Sequence, residues 1–449
     1  MSKADEQIVT CADLKNQSAV EAFYKLVNSY KDKEKSYNTN FVFFVGAGFS
    51  KAWDEKFPGG KDLFEEFSNE SRLFNDSLEC YLQTMSWCKQ KTLNRDIFNI
   101  DFDDLKKIVF SLDMYEKYKE LRPKYIDSNG LKMIKKNLSA LIALKMWEHN
   151  PHLQELYDST ICPPEENRYI IYPPEKLTEK QIEIINFFSI LRNIKNNNSQ
   201  VLTEKEKIHP LSIGSNNNYN QGLEKIRLNH ITTNYDFVIE CIFDACINDA
   251  GGDTHLDYIY RGFTPNKYFG FNGIRKIKNH LLTESLFKLN GGLEIYYNPD
   301  GTYKIDYRKK GLENLKKKSP LLILPSYEQD YSSPYFREIL QKSKELLTIS
   351  KVLIIVGYSL PKEDILIHFL LKHFALYETD FQDKMIFYIS TEKCHDKLEE
   401  KLKSVFREAI SESFSKRVHT FSGSFNEFVE RFNQRWEAGI KKCEVPPLT

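Results

Sequence analysis

An apolar run, Phe41-Val42-Phe43-Phe44-Val45, stops abruptly at Gly46-Ala47-Gly48-Phe49-Ser50. A β-type run that ends on closely spaced glycines predicts a strand, a tight turn and the N-terminus of a helix. Such a junction aims backbone N–H groups at one point and adds the positive end of a helix dipole, so it suits an anion. Gly46 and Gly48 fit it because glycine adopts positive φ and lets a ligand approach the backbone. A G-x-G turn by itself is also compatible with a plain strand–helix connection.

The remainder of the chain decides the class. After a helix over 11–30 and the strand at 41–45, residues from about 63 to 194 carry apolar positions three and four apart, as in Phe102, Leu105, Ile108, Val109 and Leu112. That is helical periodicity, and it predicts a mostly helical insertion that packs or covers. An asparagine-rich stretch, 193–221, reads as a solvated loop. Strands and helices then alternate: a short strand at 231–233 ending at Asn234-Tyr235-Asp236, a helix over 237–246, a strand at 286–289 ending at Asn290-Gly291-Gly292, and a hairpin around Asn298-Pro299-Asp300-Gly301. A buried strand at 321–324, a helix over 335–347 and a continuous apolar strand at 352–356 come next, the last ending at Gly357-Tyr358-Ser359-Leu360-Pro361. Helices over 364–374, 397–414 and 425–436 enclose strands at 385–390 and 418–421. Continuous apolar strands belong to sheets covered on both faces. The alternation therefore predicts an α/β fold, a doubly wound Rossmann-like parallel sheet with a large helical insertion. The chain divides into an N-terminal helix (1–39), the Rossmann-like domain (40–63 and 222–435), the insertion (64–221) and a C-terminal tail (436–449). In such sheets ligands lie beyond the carboxyl ends of the strands.

Composition narrows the function. Lysine plus arginine and aspartate plus glutamate both number 63, so the formal net charge is zero. This disfavours a general nucleic-acid binder and leaves only local patches, such as Arg308-Lys309-Lys310 and Lys316-Lys317-Lys318. The eight cysteines include no C-x-x-C pair, so a zinc ribbon is not expected. No apolar stretch approaches the ~20 residues of a membrane span, and the polar MSKADEQ start lacks a signal-peptide core. The expectation is a cytoplasmic protein with reduced thiols.

Taken in order, the strand-end motifs resemble those of the SIR2-like (sirtuin-related) NAD-binding family, and more narrowly its bacterial anti-phage defence branch. Gly46-Ala47-Gly48-Phe49-Ser50 is similar to the family's GAG-x-S phosphate turn, and Pro58-Gly59-Gly60-Lys61-Asp62-Leu63 stands where defence-type members carry a proline–aspartate–leucine segment. Thr232-Thr233-Asn234-Tyr235-Asp236 resembles T-x-N-x-D, and Gly357-Tyr358-Ser359-Leu360-Pro361 with Asp364 resembles GYSLP-x-x-D. The match covers about 38–63 and 228–391. The resemblance implies an NAD site without zinc. The first turn (Gly46, Ala47, Gly48, Ser50) would hold the diphosphate. Asn234 and Asp236, next to Thr233, would reach the nicotinamide and its ribose, and Gly357 and Ser359 would border the adenosine half. It further implies NAD⁺ hydrolysis to nicotinamide and ADP-ribose, and control by homo-oligomerisation or by a HerA-type ATPase or Argonaute-type partner. Nucleic acid would then be met only indirectly. Cleaving the nicotinamide bond builds oxocarbenium-like charge, which an amide and a carboxylate beside the ring can position and stabilise. Asp236 is equally suited to cap the helix that comes after it.

One position departs from the family. Its catalytic histidine lies in a K-L-H-G-type segment, and here Lys288-Leu289-Asn290-Gly291 puts Asn290 in that place. An asparagine amide cannot take a proton near neutral pH, though it can hydrogen-bond a ribose hydroxyl. Three accounts are open: a natural pseudoenzyme that binds NAD or ADP-ribose, an inactivated variant, or hydrolysis supported by another residue such as Asp236. A non-catalytic scaffold or sensor that assembles with a partner ATPase or nuclease is thus the alternative to an NADase. His230, His255 and His280 are nearby in the chain, and a structural role is expected for each.

Overall fold

The computed structural model describes residues 11–30, 39–58, 102–124, 126–151, 153–156, 168–171, 177–192, 226–246, 259–263, 267–269, 284–307, 312–376, 384–406 and 417–444. Six strands form one all-parallel sheet: β1 (Thr39–Val45), β2 (Ile226–Thr232), β3 (Leu286–Lys288), β4 (Val352–Val356), β5 (Met385–Ser390) and β6 (Val418–Ser422). Their spatial order is β6-β5-β4-β1-β2-β3. The chain builds from β1 to one edge, returns past β1 to β4, and builds to the other edge. The connections on either side of that reversal leave to opposite faces of the sheet, so a crevice opens between the ends of β1 and β4. The doubly wound α/β architecture expected from the alternation is the one observed.

The pleat explains why β1 is apolar throughout. Phe41, Phe43 and Val45 enter the core on one face and Val42 and Phe44 the core on the other. The first face is covered by helices α1 (Cys11–Ser29), α5 (Glu179–Arg192), α6 (Val238–Cys246) and α10 (Phe425–Glu444), with α2 (Ala47–Trp53), α3 (Phe102–Lys117) and α4 (Ser128–His149) continuing the same core. The second carries α7 (Pro334–Ile349), α8 (Ile365–Lys372) and α9 (His395–Phe406). Register sets the height of the site. Val45 pairs with both Thr232 and Val356, and Thr232 pairs with Lys288, so four strands end on one row.

The structure departs from the sequence reading in five places. Strand β2 begins at Ile226, before the short strand expected at 231–233, because Arg227, Asn229 and His230 interrupt its apolar pattern. Residues 321–324 are not a strand of the sheet. Pro320 and Pro325 flank them, and their N–H groups at Leu321 and Ile323 donate to Ile295 and Asn290 carbonyls, leaving a single antiparallel bridge between Leu322 and Gly291. The insertion contains a small antiparallel pair, Leu153–Leu156 with Arg168–Ile171. Helix α5, placed by sequence in the insertion, packs on the sheet instead. Its Phe187 and Phe188 meet Phe23, Phe43, Phe49 and Phe425. Finally, α10 runs on to Glu444, past the expected end at Trp436. Its Phe428, Phe432 and Trp436 are buried on the chain's own core. The stretches 59–63, 193–225 and 308–310, which carry the Gly59–Leu63 part of the motif, the asparagine-rich loop and one basic cluster, lie outside the described residues. No helix among the described residues is long and apolar enough to cross a membrane.

Candidate functional site

The two central strand ends are stitched together by backbone. Gly46 N–H donates to the Val356 carbonyl (3.0 Å) and Gly48 N–H to that of Gly357 (2.9 Å). Gly357 has φ +62°, and a Cβ there would stand 2.3 Å from Phe49 N. A Cβ on Gly48 would meet Gly357 Cα at 2.7 Å. This corrects the expectation for the first turn. Gly46 has φ −120°, and neither it nor Gly48 is in the left-handed region. They are glycines because β4's end crosses within contact distance. Their N–H groups serve that crossing, which leaves Ala47 and Ser50 as the members of the turn that line the cavity described below.

A hydrogen-bonded chain joins the ends of β1 and β2. Asn234 donates through Nδ2 to the Gly46 carbonyl (3.0 Å) and to Ser50 Oγ (2.9 Å), and Ser50 donates to Asp236 Oδ2 (2.6 Å). Both amide hydrogens being used, Asn234 offers a ligand its acceptor Oδ1. The other Asp236 oxygen accepts from Val238 N–H at the start of α6 (3.0 Å), the capping role foreseen for it. Asp236 is 4% exposed. Burial pushes its carboxyl above the usual carboxylate range, with the Ser50 hydroxyl and the nearby Lys288 ammonium working the other way.

Asn290 is fixed from two sides. Its Nδ2 donates to the Thr233 carbonyl (3.1 Å), and its Oδ1 accepts from the Tyr331 hydroxyl (2.8 Å). Burial raises the Tyr331, Tyr235 and Tyr358 phenols, so all three are neutral donors; Tyr235 donates to the Ile323 carbonyl and Tyr358 to Asp364 Oδ2. Leu360 has φ +51°, the one non-glycine in the left-handed region among the described residues, and it sits just before Pro361. Backbone strain of this kind costs on the order of 1–3 kcal/mol and persists where surrounding structure enforces it.

Beneath these loops lies a buried ionic group. Lys288 Nζ donates to the Asp236 carbonyl (2.6 Å), and pairs with Glu240 (2.7 Å) and Glu294 (3.1 Å). Arg261 pairs with the same two carboxylates and donates to the Tyr307 hydroxyl (2.7 Å). All four charged side chains are 3% exposed or less. Two cations against two anions make a neutral cluster, which is what allows it to be buried.

Above the row of strand ends is a cavity of about 530 Å³. It is lined by Ala47, Ser50, Thr233, Asn234, Asp236, Asn290, Gly357 and Ser359, so eight of the ten residues singled out by sequence meet in one place. Gly48 faces instead a second cavity of about 1110 Å³ over β5 and β6, which shares Gly357 and Ser359 with the first, and Gly46 lines neither. Sequence reasoning missed Tyr331, Lys106 and Glu363 on the rim. His230 is buried against Phe43, Phe188 and Phe243; His255 and His280 lie outside the described residues. Among the described residues, no three His, Cys, Asp or Glu side chains are grouped as a metal site requires.

No family model and no curated protein matches this chain.

The arrangement has the chemistry of a polar-ligand site at a Rossmann switch point: fixed amides, a serine, tyrosine hydroxyls and a small-residue turn around a concave space. A cavity of this size is in the range that takes a small molecule or half a dinucleotide.

Proposed function

We propose that the cavity binds NAD⁺ and that the chain is a SIR2-like NAD⁺ hydrolase of the anti-phage defence type, with turnover impaired by Asn290. The observation that carries this reading is the Asn234–Ser50–Asp236 hydrogen-bonded chain at the mouth of the switch-point cavity. The nicotinamide ribose would lie against Asn234 and Asn290, and the adenosine half would extend over Gly357 and Ser359 into the larger cavity. Hydrolysis adds water at the ribose C1′ while the nicotinamide leaves with the electron pair of the broken C–N bond. The water's proton needs an acceptor. Asn290 cannot take it, and each Asp236 oxygen accepts one hydrogen bond, from Ser50 or from Val238 N–H, so Asp236 holds Ser50 and, through it, Asn234 in place. A missing general base typically slows such a step by about 10²–10⁴-fold.

The locked amide of Asn290 favours a second reading, a non-catalytic NAD or ADP-ribose sensor. Homo-oligomerisation, or assembly with a HerA-type ATPase or Argonaute-type partner, belongs to both readings and rests on the motif resemblance. Calorimetric titration with NAD⁺, run beside nicotinamide release for the native chain and Asn290→His, separates them. The hydrolase reading expects binding by both proteins and at least a hundredfold faster release from Asn290→His. Binding without release from either protein selects the sensor. Absence of binding removes both.

A further inference from the structure

Helix α3 belongs to the segment that reads as a cover without chemistry, yet it reaches the rim of the cavity. Lys106 Nζ pairs with Glu363 (3.2 Å) and lies 5.9 Å from the Tyr327 ring centre, and Asp103 accepts from the Tyr327 hydroxyl (2.6 Å). Lys106, Glu363 and Asp364 all line the same cavity as Ala47, Asn234 and Asn290. Among the described lining residues Lys106 is the one cation, set against the carboxyls of Asp236, Glu363 and Asp364. Burial pushes the Asp236 and Asp364 carboxyls up, whereas Glu363 is held low by its own backbone N–H and by Lys106. Lys106 and Glu363 form the ion pair of this rim.

A dinucleotide brings a dianionic diphosphate. The expected receptor for it, the first glycine turn, has committed the N–H groups of Gly46 and Gly48 to the carbonyls of Val356 and Gly357. We infer that Lys106 is the diphosphate-binding cation of this site, supplied by the insertion and exchanging its Glu363 partner for the ligand. This rests on the reading of the cavity as a dinucleotide site. A lysine does this as a mobile point charge, able to move between carboxylate and phosphate.

The two members of one ion pair then act on ligand binding in opposite directions. Lys106→Met keeps the stem and removes the charge; it is expected to weaken ADP-ribose and NAD⁺ by about 10- to 100-fold, the range for a charged hydrogen bond. Glu363→Gln releases the lysine from competition and is expected to tighten both ligands severalfold. Nicotinamide riboside, which lacks phosphate, should bind Lys106→Met and the native chain alike. Asp103→Asn, which alters the neighbouring rim contact and leaves the cation, should change little. Calorimetry of these proteins with ADP-ribose, nicotinamide riboside and inorganic pyrophosphate is the test. ADP-ribose binding unchanged in Lys106→Met overturns the inference and leaves the dinucleotide reading standing. Equal weakening in Lys106→Met, Glu363→Gln and Asp103→Asn also overturns it, since that is the pattern of a purely structural clasp. Pyrophosphate binding that needs Lys106, with no binding of ADP-ribose or NAD⁺, supports the cation site and overturns the dinucleotide reading. Binding of none of these ligands to the native chain overturns both.

Discussion

Asp236 carries the site's strongest conflict at the scale of one residue. Its carboxyl is buried, so the charged form is disfavoured, while Ser50, Val238 N–H and Lys288 all favour it. Burial wins, and the folded-state value lies above the ordinary 3.8. Linkage gives the sign for stability. A carboxyl raised by folding contributes most below its unfolded value, and that contribution is lost as pH rises through the folded value. Asn at this position does not titrate and keeps one acceptor for Ser50 or Val238. The stability of Asp236→Asn relative to the native chain should therefore improve as pH rises from just below 3.8 through the raised value, then level off. Urea denaturation of both proteins at a series of pH values measures this. A native chain that instead gains on Asp236→Asn as pH rises would show that the hydrogen bonds outweigh burial.

Among the elements, β3 and α6 are the instructive pair. Lys288 ends β3, Glu240 lies in the first turn of α6, and Arg261 and Glu294 come from the segments around them. Lys288→Met would leave Glu240 and Glu294 sharing Arg261 alone, with an uncompensated charge in a dry core. Removing one partner of a buried pair costs about 3–5 kcal/mol, whereas replacing the group by apolar side chains can cost little. A urea midpoint much reduced in Lys288→Met and largely restored in Lys288→Met/Glu240→Leu is the expected result, with equal loss in both as the contrary one. These elements also show how far the sequence could be read. β1 and β4 were legible because parallel strands covered on both faces tend to be continuous apolar runs, as Phe41–Val45 and Val352–Val356 are, whereas the equally buried β2 carries Arg227, Asn229 and His230 and showed only at its end. The four strand ends were legible because turn residues must come after such strands. The stretch 321–324 has the same composition but not the same fate: prolines on both sides limit it to one bridge, and apolar content cannot report that. The ionic cluster left only a faint mark, Glu240 beside Asp244 in the otherwise apolar stretch Val238–Cys246 and a Lys inside Leu286-Phe287-Lys288-Leu289. Partners for those charges come from distant segments, so no local pattern names them. Tyr331 and Lys106 left none, because their meaning depends on where a loop and an inserted helix fold back.

For the molecule as a whole, the strand order β6-β5-β4-β1-β2-β3 decides which distant segments a ligand must tie together. A dinucleotide laid across the switch point touches chain ends separated by hundreds of residues: the turn after β1, the loops after β2 and β3, the 357–364 loop and α3. If it also fills the larger cavity, it reaches Ser390, Thr391 and Gly423 at the ends of β5 and β6. Hydrogen exchange with and without NAD⁺ should then show slowing in all of these together. At a ligand concentration of 100 times Kd, the bound state gains about 2.7 kcal/mol over any opening that releases the ligand, roughly a hundredfold in exchange rate. The backbone supplies an internal control. Gly46 and Gly48 N–H are already bonded to the carbonyls of Val356 and Gly357, so exchange there should be slow before NAD⁺ is added and change least. The largest change belongs to 235–236 and 358–363, where irregular backbone faces the cavity, since Thr233, Asn234, Gly357 and Asp364 N–H groups are bonded within the protein. Slowing confined to one side of Gly357 would mean a smaller ligand held in a single cavity, and the two halves of the sheet would then not be working as one site.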